Sequence, residues 1–176
     1  MRKHNGMRPQ DIVILLKIMA LNVPDWKMKD IALSLAISPS EVTESLERSS
    51  LAGLIAKDKR RVMRDNVLEF LVHGLKYVFP AVFGPSAGGI STAHSAPPLD
   101  SLVASNVVYV WQYPDGTKFG PSIIPLIPSV PQAAMRDSKL YELLALVESL
   151  RVGQVRERNL AAQILEKVIW NIPTIA

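Results

Sequence analysis

The feature that most constrains the fold is the tetrapeptide Ser38-Pro39-Ser40-Glu41. A serine followed three positions later by a glutamate forms a capping box, and the proline between them is preset for a first helical turn. The tetrapeptide therefore predicts the start of a helix. Val42 and Leu46 would face inward, and Gly53 would end the helix before an extended stretch.

Three further helices are predicted in the first half of the chain from the spacing of apolar residues. An amphipathic helix is expected over residues 9–21. A second is expected over residues 27–35, capped by Asp25 and with Met28 facing inward. Helical spacing resumes at Val67 and ends near Pro80.

The helices over 27–35 and 38–51 are separated by a turn short enough for a helix-turn-helix. Ile31 and Ala32 would pack one helix against the other, Ile37 would fill the turn, and Val42 would support the second helix from beneath. A helix-turn-helix places its second helix in the major groove of DNA while the first crosses the backbone.

The net charge of the chain is concentrated in its first half. Residues 1–80 hold 13 Lys and Arg against 9 Asp and Glu, a net of +4, whereas residues 81–176 hold 7 against 7, a net of zero. A localised positive charge is typical of a polyanion binder. The chain has no cysteine, and its three histidines have no metal-ligand spacing, so we expect no metal. No apolar run is long enough to span a membrane, and we expect a cytoplasmic protein.

The second half begins with a stretch rich in Gly, Pro and Ser, which predicts a linker over residues 81–106. Residues 107–119 predict a hairpin around the Pro114-Asp115-Gly116 turn. Four prolines between residues 120 and 132 predict irregular structure. Two apolar stripes, over residues 140–150 and 160–169, predict two final helices that pair together, cover the first domain or form a homodimer.

Residues 30–55, DIALSLAISPSEVTESLERSSLAGLI, resemble the helix-turn-helix of MarR-type winged-helix regulators. The similarity covers residues 9–80, and it includes the Gly-Leu-Ile sequence that leads from the recognition helix into the wing. The second half is similar to the tails of small uncharacterised bacterial regulators. The sequence thus predicts a mainly α fold with a small β component: a winged helix-turn-helix domain over 1–80, the linker, and a region over 107–176 with a hairpin and two helices for dimerisation or partner binding.

The resemblance implies a sequence-specific transcriptional regulator that binds double-stranded DNA. A homodimer is expected from the two apolar stripes of the final helices. The resemblance also implies that Ser38, Ser40, Thr43 and Arg48 face DNA. Glu44 also points outward on the recognition helix and would accept a hydrogen bond from a cytosine amino group. The wing would carry the residues that contact phosphates: Lys57, Lys59, Arg60 and Arg61.

The sequence is also compatible with two other classes of function. Winged helices also bind proteins, and three glutamates on the recognition helix would repel phosphate, so the chain could be an adaptor or an antitoxin-like protein. Its proline-rich 120–132 segment and its final helices would then bind the partner protein. An enzyme using His94 has less support because no acidic residue in the sequence is placed to orient this histidine. We expect no catalysis and no cofactor.

Overall fold

The computed structural model describes residues 6–171, which form a mainly helical protein with one small sheet. Residues 1–5 and 172–176, at the ends of the first and last regions of the predicted organisation, lie outside the described residues. The helices are α1 Pro9–Leu21, α2 Met28–Leu35, α3 Pro39–Leu51, α4 Arg64–His73, α5 Leu75–Val78, α6 Val130–Arg136, α7 Ser138–Val152 and α8 Val155–Asn171. The strands are β1 Phe83–Ser91, β2 Val110–Gln112 and β3 Lys118–Ile123.

Helix α1 is the centre of the fold. Every residue from Asp11 to Ala20 is buried, with α3 and α7 among the helices packed against it. The prediction of an amphipathic helix is therefore wrong, although its bounds are confirmed. The one lysine of this stretch, Lys17, donates a hydrogen bond from Nζ to Oδ2 of Asp137 at 2.7 Å.

Asp137 links α1 to the beginning of α7. It is the N-cap residue of α7 and accepts a hydrogen bond from the amide of Leu140 at 3.0 Å. Burial alone would raise the pKa of this carboxyl, but the Lys17 ammonium and the Leu140 amide outweigh that effect and hold the pKa below its usual value.

Helices α2 and α3 are joined by the predicted tight turn. Ala36 adopts a left-handed conformation (φ 52°), and the amide of Ile37 donates to the carbonyl of Ala32 at 3.0 Å. The N-cap of α2 is Lys27 and not Asp25, because the chain enters the helix two residues later than that aspartate. Met28 is also not inward: its side chain is 41% exposed.

The helix predicted to continue to Pro80 is divided at Gly74. Helix α4 ends at His73, and Gly74 separates it from the short helix α5. A Cβ atom at Gly74 would lie 3.0 Å from the ring of Phe70. The glycine therefore allows the chain to pass close to that ring where the helix is interrupted.

Residues 83–91, predicted as part of the linker, form the longest strand of the protein. Strand β1 pairs antiparallel with β2 through Ile90↔Trp111 and with β3 through Ala87↔Gly120, and the three strands close into a small barrel. The predicted hairpin is wrong as well. Strands β2 and β3 are not antiparallel neighbours and meet only at the parallel pair Val110↔Ser122.

Glycine is required in this barrel for close packing of the backbone. A Cβ atom at Gly89 would lie 1.9 Å from the carbonyl oxygen of Trp111, and one at Gly120 would lie 1.9 Å from that of Val108. No side chain fits in such space. The glycine content that predicted a linker is therefore what allows the strands to approach.

The proline-rich segment is more regular than predicted. Pro121 lies inside β3, and Pro131 lies in the first turn of α6, where a missing amide hydrogen is tolerated. Ile123, Ile127 and Val130 are buried. The segment is thus packed on the protein, with Ile124 and Pro128 exposed.

The two final helices are present, and both contribute to the main core. Helix α7 is buried from Leu143 to Leu150 and packs against α1 and α8, while α8 also contacts α4. A single hydrophobic cluster extends from Ile12 to Ile169. The boundaries predicted at residues 80 and 107 therefore do not separate independent cores, and the apolar stripes of these helices face inward.

Candidate nucleic-acid interface

The start of α3 has the predicted capping box. Oγ of Ser38 accepts a hydrogen bond from the amide of Glu41 at 3.2 Å, and the amide of Ser38 donates to Oε2 of Glu41 at 2.8 Å. The backbone and hydroxyl hydrogen bonds from Ser38 lower the pKa of the Glu41 carboxyl. Ser38 therefore fixes the position of α3, and its hydroxyl is engaged within the cap.

The exposed face of α3 carries four of the residues expected to point outward. Ser40, Thr43, Glu44 and Glu47 are all exposed. The Thr43 hydroxyl donates to the carbonyl of Pro39 at 3.1 Å, which leaves its oxygen as an acceptor. With Glu41 exposed beside them, this face holds three carboxylates. Two of these form ion pairs, Glu44 with Arg48 at 3.8 Å and Glu47 with Lys59.

Arg48 is the clearest disagreement with the predicted site. Its side chain is 7% exposed, and it donates from Nε to Oδ2 of Asp11 at 2.9 Å and from Nη2 to Oδ1 at 2.6 Å. The Asp11 side chain is fully buried, and it also accepts from the amide of Arg8 at 2.8 Å. The hydrogen bonds to Asp11 raise the pKa of Arg48. Arg48 thus holds α3 against α1, and the prediction that it faces DNA is wrong.

The predicted basic run lies on a short hairpin over residues 54–63, which we call the basic hairpin. Its arms are joined by one bridge, Ile55↔Val62, and by hydrogen bonds from the amide of Ala56 to the carbonyl of Arg61 (2.8 Å) and from the amide of Met63 to that of Leu54 (2.9 Å). Lys59 lies at its tip with φ 57°. The hairpin is shorter than a full two-stranded ribbon because a single bridge joins its arms.

The four cations of the basic hairpin have different environments. The Lys59 ammonium forms an ion pair with Glu47 of α3, and Arg60 packs on Trp26. Lys57 and Arg61 are exposed, and among residues 6–171 neither side chain forms a hydrogen bond or an ion pair. These two cations are therefore available to a polyanion without loss of an internal contact.

Trp26 and Arg60 form a reciprocal contact that the sequence did not predict. The indole Nε1 donates to the carbonyl of Arg60 at 3.3 Å, and Nη1 of Arg60 donates to the carbonyl of Trp26 at 2.8 Å. The guanidinium carbon lies 4.9 Å from the centre of the indole ring. This contact, the Trp26–Arg60 clasp, fixes the basic hairpin beside the start of α2, where Lys27 and Lys29 are exposed.

Asp11 is a second residue whose role the sequence did not predict. The sequence does contain a signal for it, because Asp11 is the acidic residue at the beginning of an otherwise apolar run. A buried carboxylate requires a cationic partner. Which cation fills this role depends on how α1 and α3 pack, and that information is not local in the sequence.

His94 lies away from this surface, and its surroundings differ from the prediction. Its Nε2 is 3.0 Å from the carbonyl oxygen of Val107, and its Nδ1 is 3.7 Å from Oε1 of Glu157. An acidic neighbour is therefore present. Within the described residues, no three or more His, Asp or Glu side chains form a group that could hold a metal ion.

Comparison with known proteins finds no matching family model, no matching curated protein and no matching solved structure. Within residues 6–171, no helix combines the length and the hydropathy needed to cross a membrane.

Proposed function

We propose that the chain is a transcriptional regulator that binds double-stranded DNA through a winged helix-turn-helix formed by α2, α3 and the basic hairpin. The observation that supports the proposal best is the Trp26–Arg60 clasp. It holds the basic hairpin beside the start of α2, where Lys27 and Lys29 are exposed. The exposed cations of both segments would contact a phosphate backbone, with the exposed carboxylates of Asp25 and Asp58 among them.

The residues proposed to contact DNA differ from the predicted set in two ways. Ser40, Thr43 and Glu44 would meet the base edges, because their side chains are exposed on α3. Lys57 and Arg61 would contact phosphates. Lys59 would break its ion pair with Glu47 and form one with a phosphate. Arg60 and Ser38 do not contact DNA in this proposal. Arg60 holds the basic hairpin in place through the Trp26–Arg60 clasp, and Ser38 fixes the start of α3 through its cap. Arg48 is not part of the proposed interface.

The test is the salt dependence of duplex binding, measured by fluorescence anisotropy with labelled fragments of random sequence. The logarithm of affinity should fall linearly with the logarithm of salt concentration. The double variant Lys57→Ala/Arg61→Ala should lower the magnitude of that slope by about 2, because each phosphate contact contributes about 0.9.

A matched control is Arg136→Ala/Lys139→Ala, which removes the same charge from two exposed residues at α6 and α7. It should leave the slope unchanged. The proposal fails if the wild-type chain does not bind a duplex at low salt, or if both double variants change the slope equally.

A protein-binding role for the same surface is the second candidate. It is favoured by the three carboxylates on α3 together with exposed apolar side chains on α2 and α3: Met28 is 41% exposed, Leu33 78% and Leu51 70%. The double variant Glu44→Lys/Glu47→Lys separates the two roles. It should strengthen duplex binding if α3 meets DNA, whereas a surface that binds only protein gives no duplex binding in the wild-type chain.

A further inference from the structure

A cavity of about 440 Å³ lies between the basic hairpin and three helices. Its walls come from the end of α1, the loop that follows α1, the basic hairpin, the first turn of α4 and Trp170 near the end of α8. Cavities that hold small molecules in proteins typically have volumes of about 300–1,000 Å³. We call this space the hairpin cavity. The proposed DNA interface leaves it without a role.

The lining of the hairpin cavity is positive on balance. It includes three guanidinium groups and two carboxylates, which belong to Arg60, Arg61, Arg64, Asp58 and Asp65. The Arg60 guanidinium is held on Trp26, and Oδ1 of Asp58 accepts from the amide of Arg60 at 2.9 Å. An anion is therefore attracted to the cavity, and Arg61 and Arg64 are the cations that remain to bind it.

These two arginines have different environments. Arg61 is exposed, and its side chain has no hydrogen bond or ion pair with any residue from 6 to 171. Arg64 is half-buried. Two of its hydrogen bonds, to the carbonyl of Ile169 at 3.5 Å and to Oδ1 of Asn22 at 3.4 Å, are long and end on neutral oxygen atoms. Burial lowers the pKa of Arg64, because its charged form loses hydration, and a bound anion would stabilise that form.

The presence of two guanidinium groups favours a phosphate over a carboxylate. A single guanidinium pairs with both oxygen atoms of a carboxylate, which leaves the second one without an equivalent partner. A phosphate monoester has three terminal oxygen atoms and can accept from two guanidinium groups at once. Arg61 and Arg64 together therefore match a phosphate ester.

Trp170 gives the cavity an exposed aromatic wall. Its side chain is 54% exposed, whereas Trp26 is buried and carries Arg60 on its ring. Nucleobases stack on exposed aromatic side chains, whatever their sequence. Asn66, also in the lining, donates from Nδ2 to the carbonyl of Gly53 at 2.7 Å, which leaves its Oδ1 to accept from an N–H group of a base.

We propose that the hairpin cavity binds a nucleoside monophosphate, with the phosphate on Arg61 and Arg64 and the base against Trp170. The inference goes beyond the proposed function, because it assigns a small molecule to a space that the DNA interface does not fill. Arg61 belongs to both, so a bound nucleotide occupies one phosphate contact of the proposed DNA surface. Nucleotide binding is measured without DNA, so a chain that binds a nucleotide but no duplex refutes the proposed function alone.

The first test is isothermal titration calorimetry of the whole chain with adenosine, guanosine, cytidine and uridine 5′-monophosphates. The tightest of them should bind with a dissociation constant below about 1 mM. Its parent nucleoside, inorganic phosphate and benzoate should each bind at least about tenfold more weakly, since none of them offers both a base and a phosphate. The proposal is overturned if no nucleotide binds at this level, or if the nucleoside, phosphate or benzoate binds as tightly as the nucleotide.

The second test places the nucleotide in the cavity by substitution of exposed residues. Arg61→Ala and Trp170→Ala should each weaken binding about tenfold, because the first removes a phosphate contact and the second the stacking surface. Trp170→Phe retains a ring and should keep most of the affinity. The controls lie outside the cavity: Lys57→Ala on the same hairpin and Phe119→Ala at an exposed ring of β3 should leave binding unchanged. Equal effects of Lys57→Ala and Arg61→Ala would overturn the proposal, because the nucleotide would then be bound by the hairpin surface and not by the cavity.

Discussion

Replacing Arg48 with methionine separates the buried role that the structure gives this residue from the DNA contact that the sequence predicts. In the protein, Arg48 binds both carboxylate oxygens of Asp11, and both side chains are almost completely buried. Methionine retains much of the side-chain volume but removes the charge and the donors. Asp11 then keeps only the hydrogen bond from the amide of Arg8.

The expected loss of stability follows from that geometry. Removing one member of a buried ion pair leaves an uncompensated charge and costs about 3–5 kcal/mol. Domains of this size have a free energy of unfolding of about 5–15 kcal/mol, so the loss is a large fraction of the total. The midpoint of thermal unfolding should fall by roughly 10 °C. The double variant Asp11→Leu/Arg48→Met should recover most of the stability, because it removes both charges.

The measurement is urea unfolding followed by tryptophan fluorescence, with Trp26 and Trp111 as buried reporters. Duplex affinity is measured in parallel at a temperature at which all variants are folded. The reasoning is refuted if Arg48→Met unfolds with a loss below about 1 kcal/mol, which is the typical value for an exposed ion pair. It is also refuted if the variant loses duplex binding while its stability is unchanged.

Three further predictions follow from single contacts. Glu47→Gln should free Lys59 from its ion pair and raise duplex affinity about fivefold at low salt. Glu166→Gln, which removes an exposed carboxylate of α8, should leave the affinity unchanged, and anisotropy titrations measure both variants. Ser38→Ala should lower the free energy of unfolding by about 1 kcal/mol in urea, because the α3 cap loses its acceptor. The lowered pKa of Asp137 stabilises the fold above the usual aspartate pKa of about 4, and this stabilisation is lost as the pH falls through the lower pKa of the folded state. Asp137→Asn should therefore weaken the pH dependence of the unfolding midpoint in acid.

The sequence predicts the parts of this fold that depend on neighbouring residues. The capping box at Ser38, the turn after Ala32 and the bounds of α1 are confirmed because each is specified within a few positions of the chain. The helical character of α7 and α8 follows equally from their apolar spacing.

The missed features depend on contacts between residues that are distant in sequence. Arg48 has the spacing of a groove-facing residue, and only its approach to Asp11, 37 positions earlier, makes it internal. The composition of β1 is typical of a loop, yet closure of the barrel demands glycine where Gly89 meets Trp111. Of the predicted DNA-facing side chains, the structure keeps Ser40, Thr43 and Glu44 exposed and together on α3.

The burial of α1 on every side has a consequence for the use and evolution of this protein. One side of α1 supports α3, and another is covered by α7, to which Lys17 is joined through Asp137. A fragment that ended after α5 would expose the apolar side that α7 covers. We therefore expect that the first eighty residues, separated from the second half, fold only when another element covers the side of α1 that α7 covers in this chain.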